Sequence, residues 1–131
     1  MSAMPITEVV ICTTCRPEGA SRHEPAAGAL LLDAIYVAQL QDEAGRYAQV
    51  HVRGVECLSS CSRACSVAFQ APAKHTYLFG DLAPDALTAE QVLDCALLHV
   101  HSADGVMDRK QRPESLRNGI VARLPPLQAA R

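Results

Sequence analysis

Two rhythms of apolar and polar positions run along this chain, and their switching marks the elements. ITEVVIC (6–12) is a near-continuous run of β-branched residues, the signature of a buried strand. EPAAGALLLDAIYVAQLQDE (24–43) spaces Leu31, Ala34, Ile35 and Ala38 along one helical face, with Pro25 suited to the first turn and Gly45 to the stop. AQVHVRGVE (48–56) alternates, setting Val50 and Val52 against Gln49, His51 and Arg53, as a half-buried strand does. SVAFQAP and HTYLFGDL read as the two strands of a hairpin around Pro72 and Lys74. TAEQVLDCALLHV (88–100) returns to helical spacing through Val92, Ala96 and Val100, and Thr88 with Gln91 forms a capping-box pattern. Beyond it the rhythm fades into loop, a short helix near 113–118 and an extended end, with no internal repeat.

The order is β-α-β-β-β-α followed by a tail, an α/β (α+β) fold with a mixed sheet. Residues 1–103 are expected to form the domain, and 104–131 an extension packed on or beside it. A strand–helix–strand unit normally makes its two strands parallel neighbours, so the ends of the first and second strands should meet at one edge of the sheet.

Composition adds bounds. The chain has 131 residues, 49% of them hydrophobic, enough for one ordinary core without disulfide staples. The net charge of −2 argues against a dedicated nucleic-acid binder. It is unevenly spread: −5 over residues 1–100 and +3 over 101–131, so the basic tail can dock on the acidic body or stay solvated. MSAMPITEVV lacks the charged start and apolar run of a signal peptide, and no stretch is long enough to span a bilayer. A cytoplasmic protein is expected, and there clustered cysteines point to metal or redox chemistry.

The cysteines are clustered indeed. Cys12 and Cys15 follow the first strand as CTTC; Cys57, Cys61 and Cys65 follow the second in VECLSSCSRAC; Cys95 stands alone on the apolar side of the second helix, where it reads as core. Parallel strands about 4.8 Å apart would bring the two groups together. Four thiolates hold zinc or an iron–sulfur cluster. A [2Fe-2S] cluster takes two thiolates per iron, which suits paired cysteines on two loops, while the three-residue gap between Cys57 and Cys61 suits a zinc knuckle less. His51 lies on the polar side of a strand and His75 begins one, His99 and His101 are two apart so that a helix cannot aim both at one ion, and His23, which could approach the site, reads as a helix-start or surface residue. Arg16 and Arg63 flank the two thiol groups, where they can offset cluster charge or attract a redox partner.

VECLSSC followed by ACSVAFQAP resembles the second cysteine loop and hairpin of thioredoxin-like [2Fe-2S] ferredoxins, and the related small subunit of respiratory NADH dehydrogenases has a similar element. Across nearly its whole length, through CTTCR, ECLSSCSRACSVAFQAPAKHTYLFGDL and RPESLRNGIVARLPP, the chain is identified as a member of the DUF1636 family of small bacterial metal-binding proteins. That resemblance implies a thioredoxin-like ferredoxin fold, iron–sulfur binding and a link to cobalamin or metal metabolism. It implies Cys12, Cys57 and Cys61 as ligands. The fourth is Cys15, or alternatively Cys65, because the position used by the ferredoxins carries no cysteine here.

Three function classes follow. The first is an iron–sulfur electron carrier or redox accessory protein with an unknown partner protein. The second is a metal-binding chaperone or sensor holding zinc or another ion. The third is a thiol–disulfide oxidoreductase using Cys12 and Cys15, which leaves the other thiols unexplained. A homodimer is expected if the sheet edge left by the hairpin is covered by a second copy, and a monomer if the basic tail covers it.

Overall fold

A computed structural model describes residues 6–128; residues 1–5, part of the segment expected to lack a leader, and 129–131 of the tail lie outside them. Five strands, β1 (Thr7–Cys12), β2 (Val50–Val55), β3 (Val67–Gln70), β4 (Thr76–Phe79) and β5 (Ile120–Leu124), form one sheet in the order β2-β1-β3-β4-β5. Two helices, α1 (Ala27–Leu40) and α2 (Ala86–His101), pack on each other and on β1 and β2. β1 and β2 are parallel, with Cys12 opposite Val55, as the strand–helix–strand order requires; the other pairings are antiparallel.

Alternation assigns the core. Val9 and Ile11 of β1, Val67 and Phe69 of β3, and Tyr77 and Phe79 of β4 are buried with Leu31 and Ile35 of α1 and Val92, Leu93 and Ala96 of α2. Each large apolar side chain here is worth about 1.5–3 kcal/mol of burial. The few aromatics are concentrated: Phe79 meets Phe69 edge-on at 5.7 Å and stacks on Tyr77 at 5.9 Å.

Three expectations shift. α1 starts at Ala27 and stops at Leu40, so Pro25 precedes the N-cap, Ala26, instead of occupying the first turn. α2 starts earlier than the Thr88–Gln91 pattern implies. Asp85 is its N-cap, and its carboxylate accepts from the Thr88 N–H at 2.8 Å. Gln91 is drawn away to accept from the Ser115 N–H and hydroxyl. The expected helix near 113–118 is a single 3-10 turn, Glu114–Leu116.

The extended end is β5. It pairs along the outer edge of β4, with Leu78 opposite Ala122. Gly119 makes this possible: at φ +82° a side chain is disfavoured, and a Cβ there would lie 2.7 Å from the Gly80 carbonyl oxygen. The preceding segment is also anchored, with Leu116 fully buried and the Arg112 guanidinium 5.5 Å from the Phe79 ring centroid. Among the described residues, no helix is long and apolar enough to cross a membrane.

Candidate metal centre

The parallel ends of β1 and β2 position the site. Past Cys12 the chain is stitched to the end of β2: the Thr13 N–H and hydroxyl donate to the Val55 carbonyl at 2.8 and 3.0 Å, and the Thr14 hydroxyl donates to the Glu56 carbonyl. The Cys12 N–H donates to the Ser66 carbonyl at 3.2 Å, tying the same point to the start of β3. From the other side α1 presses in. The Gly28 N–H donates to the Cys15 carbonyl at 3.1 Å, and a Cβ on Gly28 would sit 1.8 Å from the Cys12 carbonyl oxygen. Only glycine permits that approach. The two threonines of CTTC and the glycine opening α1 therefore fix both thiols by backbone contacts.

The thiols have different surroundings. Cys12 and Cys15 are buried. Burial alone would raise the Cys12 thiol, but hydrogen bonds from Cys15, from the Leu58 and Thr14 N–H groups and from the Thr14 side chain outweigh it, holding the thiol below its ordinary range. As a thiol, Cys12 donates to the Glu56 carbonyl at 3.7 Å. Cys15 is pushed up to about 12, by burial first and then by the adjoining Cys12. Its thiol donates to the Ser66 hydroxyl at 3.9 Å, which donates on to the Ser60 carbonyl at 3.4 Å.

Cys57 and Cys61 are exposed on the second loop. Ser59 takes the left-handed conformation, φ +56°, and its N–H turns back to donate to the Cys57 sulfur at 3.1 Å. Cys61 opens a 3-10 turn, Cys61–Arg63. It shares a pocket of about 520 Å³ with Cys15, Thr14, Arg16 and Arg22, so the two cysteine loops border one space. Cys65 is fully buried in the core cluster, pushed up to about 11 by burial first and then by Cys12. Cys95 is also core, against Met107 Sδ at 3.6 Å. His23, His51 and His101 are exposed, and His75 is half-buried.

Sequence reasoning missed Arg22 as a wall of this pocket and overvalued Arg63, whose guanidinium is paired with Asp81 at 2.6 Å. The available signal for Arg22 was its place in a charged loop beside Arg16.

The sequence profile of DUF1636, described as a protein of unknown function, matches residues 9–126. The chain belongs to the DUF1636 family. No curated protein matches this DUF1636 chain in sequence. Among solved structures it is similar to a thioredoxin-like [2Fe-2S] ferredoxin from Aquifex aeolicus, at 13% identity and TM-score 0.51, over 95% of this chain and 98% of that one. A 1.5 Å crystal structure of the wild-type thioredoxin-like [2Fe-2S] ferredoxin from Aquifex aeolicus gives 15% identity and TM-score 0.53, over 89% and 97%. The DUF1636 chain thus has the thioredoxin-like ferredoxin fold.

The donor chemistry of the two loops fits an iron–sulfur cluster or zinc: thiols on two loops, with N–H groups aimed at Cys12 and Cys57 sulfurs. Among the described residues, no three Cys, His, Asp or Glu side chains are gathered into a set that could hold a metal ion. One thiol from each loop, the buried Cys15 and the exposed Cys61, borders the pocket.

Proposed function

We propose that this protein is an iron–sulfur electron carrier or redox accessory protein, holding a [2Fe-2S] cluster on Cys12, Cys15, Cys57 and Cys61. The observation that carries the reading is the parallel pairing of β1 and β2, which delivers two cysteine loops to one sheet edge with Cys15 and Cys61 in a common pocket. A cluster there supplies reversible one-electron exchange. The chain's own part is to fix Cys12 and Cys15 from the backbone, to donate N–H groups to the Cys12 and Cys57 sulfurs, and to bury one pair while exposing the other. N–H donation stabilises thiolate charge and raises reduction potential, because it favours the more negative reduced state. Exposure of Cys57 and Cys61 places one side of the site within a partner's reach.

Cys15 is favoured over Cys65 as the fourth ligand because it lines the pocket, whereas Cys65 packs among core side chains. An enzyme using Cys12 as nucleophile is disfavoured, since that residue is only 1% exposed.

A second reading, a metal-binding accessory protein carrying zinc or another exchangeable ion, is favoured by the exposure of Cys57 and Cys61, which suits ligand exchange. Anaerobic purification with visible spectroscopy and metal analysis separates the readings. Sulfide-to-iron charge-transfer bands with iron and acid-labile sulfide support the cluster. A colourless protein with stoichiometric zinc supports the accessory reading, and a metal-free protein with a reversible Cys12–Cys15 disulfide supports an oxidoreductase.

A further inference from the structure

We propose that Arg16 and Arg22, at the rim of the pocket that Cys15 and Cys61 line, are the docking point for an acidic side chain of the protein that exchanges electrons with the cysteine site, an inference that rests on reading that site as a redox centre and leaves the Cys15 and Cys61 sulfurs to the cluster. The pocket walls carry two guanidinium groups and no carboxylate. Three arginines elsewhere are paired: Arg46 with Asp42, Arg53 with Glu8 and Arg63 with Asp81. Among the described residues, neither Arg16 nor Arg22 has a carboxylate within ion-pair distance. Arg16 is held in place without being neutralised, since its Nη1 donates to the Ser21 and Glu24 backbone carbonyls at 3.0 and 2.6 Å. Those contacts fold the 16–24 loop back and carry Arg22, exposed, to the pocket rim.

The fit is to a protruding carboxylate, not an enclosed metabolite. Thr14, Arg22 and Cys61 are all exposed, so the pocket is open along much of its wall, while Cys15 closes its base. A guanidinium pair is matched by a carboxylate through charge-assisted hydrogen bonds, and unpaired charge at a rim acts mainly on the rate of encounter. A carboxylate docked here stands beside Cys61, one of the exposed thiols of the proposed redox centre.

Two measurements test this, both on the full chain. In the first, metal-free reduced protein is alkylated with iodoacetate or with neutral iodoacetamide, and rates at Cys61 and Cys57 are read by peptide mass mapping. The ratio of the two reagents' rates cancels intrinsic thiol reactivity. At low ionic strength the iodoacetate preference at Cys61 should exceed that at Cys57 by about threefold or more. It should fall to the Cys57 value in Arg22→Gln, a residue whose side chain makes no hydrogen bond or ion pair among the described residues, and stay unchanged in Arg63→Gln. Equal preference at the two cysteines, or no response to Arg22→Gln, overturns the anion site.

In the second, reduced cluster-loaded protein passes one electron to hexacyanoferrate(III), giving oxidised protein and hexacyanoferrate(II), or to the cationic hexaammineruthenium(III), giving its ruthenium(II) form. Arg22→Gln should slow the anionic oxidant about threefold or more and leave the cationic one equal or faster. Equal slowing with both shows that Arg22 serves the cluster itself and overturns docking. A colourless protein overturns the electron-carrier reading and the electron-exchanging partner with it, while the charge preference at Cys61 is decided separately by the first measurement.

Discussion

The two ends of the interior strand β1 hold polar clusters of opposite design. At its start, the Thr7 hydroxyl donates to His99 Nδ1 at 2.8 Å, and His99 Nε2 lies 2.7 Å from the His75 carbonyl. A carbonyl only accepts, so Nε2 carries the proton and Nδ1 is the acceptor. The Lys74 ammonium donates to the His99 and Val100 carbonyls at 2.8 and 2.7 Å, and the His75 N–H donates to the Asp104 carbonyl. Here both ring nitrogens are used, and the cluster clamps the end of α2 to the β3–β4 turn. At the far end of β1, N–H groups converge on sulfurs, two guanidinium groups stand without carboxylates, and two thiols are exposed. A polar cluster that completes its own hydrogen bonds is a structural clamp. One with outward-facing thiols and unpaired charge is suited to a second molecule.

The contrast can be broken from either end. The largest effect is expected at the thiol end: Cys57→Ser and Cys61→Ser should each lose most bound metal, because one missing thiolate opens the coordination shell, yet urea unfolding compared between the metal-free proteins should be nearly unchanged since both residues are exposed. Full metal content in both variants would remove them as ligands. Next comes His99→Ala, which strands the Thr7 hydroxyl and the His75 carbonyl and leaves a cavity; it should cost about 2–4 kcal/mol in urea unfolding, with metal content retained. A cost below about 1 kcal/mol would show that the clamp is not structural.

The same histidine sets a pH dependence. Burial, then the nearby Lys74 and His75 charges, hold His99 below its ordinary 6.5, against an opposing hydrogen bond with the His75 backbone. The folded state therefore favours the neutral ring. Stability is full above 6.5 and falls as pH drops from there toward the lowered folded value, with a slope of at most ~1.4 kcal/mol per pH unit. His99→Ala should flatten that slope in urea titrations at successive pH values, and an unchanged slope would assign it to other groups. The smallest effect is expected for Cys95→Ala, about 1–2 kcal/mol from a small core cavity, with metal content equal to that of the parent; metal loss there would contradict the placing of Cys95 in the core.

How far the sequence disclosed this arrangement depends on whether the signal was local. Alternation at Val50 and Val52 and the aliphatic run of β1 were enough to place two parallel strands and so bring both cysteine loops to one edge. The capping box failed because two start signals overlap: Asp85 also stands three residues before a helix-competent position, and Gln91 was claimed by Ser115 from a distant turn. β5 carried no alternation and is exposed throughout, so its strand character comes from the free edge of β4, a tertiary fact. Arg63 was legible as a neighbour of the thiols, but its neutralisation by Asp81 was not, since that pair forms only when the hairpin closes. Arg22 required the fold-back of the 16–24 loop onto Arg16, which no spacing encodes.

Dithionite reduction of the anaerobically purified protein, followed by electron paramagnetic resonance with spin quantification, tests the central claim most directly. A [2Fe-2S] cluster on Cys12, Cys15, Cys57 and Cys61 should give a spin-one-half signal approaching one spin per chain, reversed by reoxidation, retained in Cys65→Ser and lost in Cys15→Ser. An EPR-silent protein without iron or labile sulfide would contradict the electron-carrier account, and a signal retained in Cys15→Ser but lost in Cys65→Ser would contradict its ligand set.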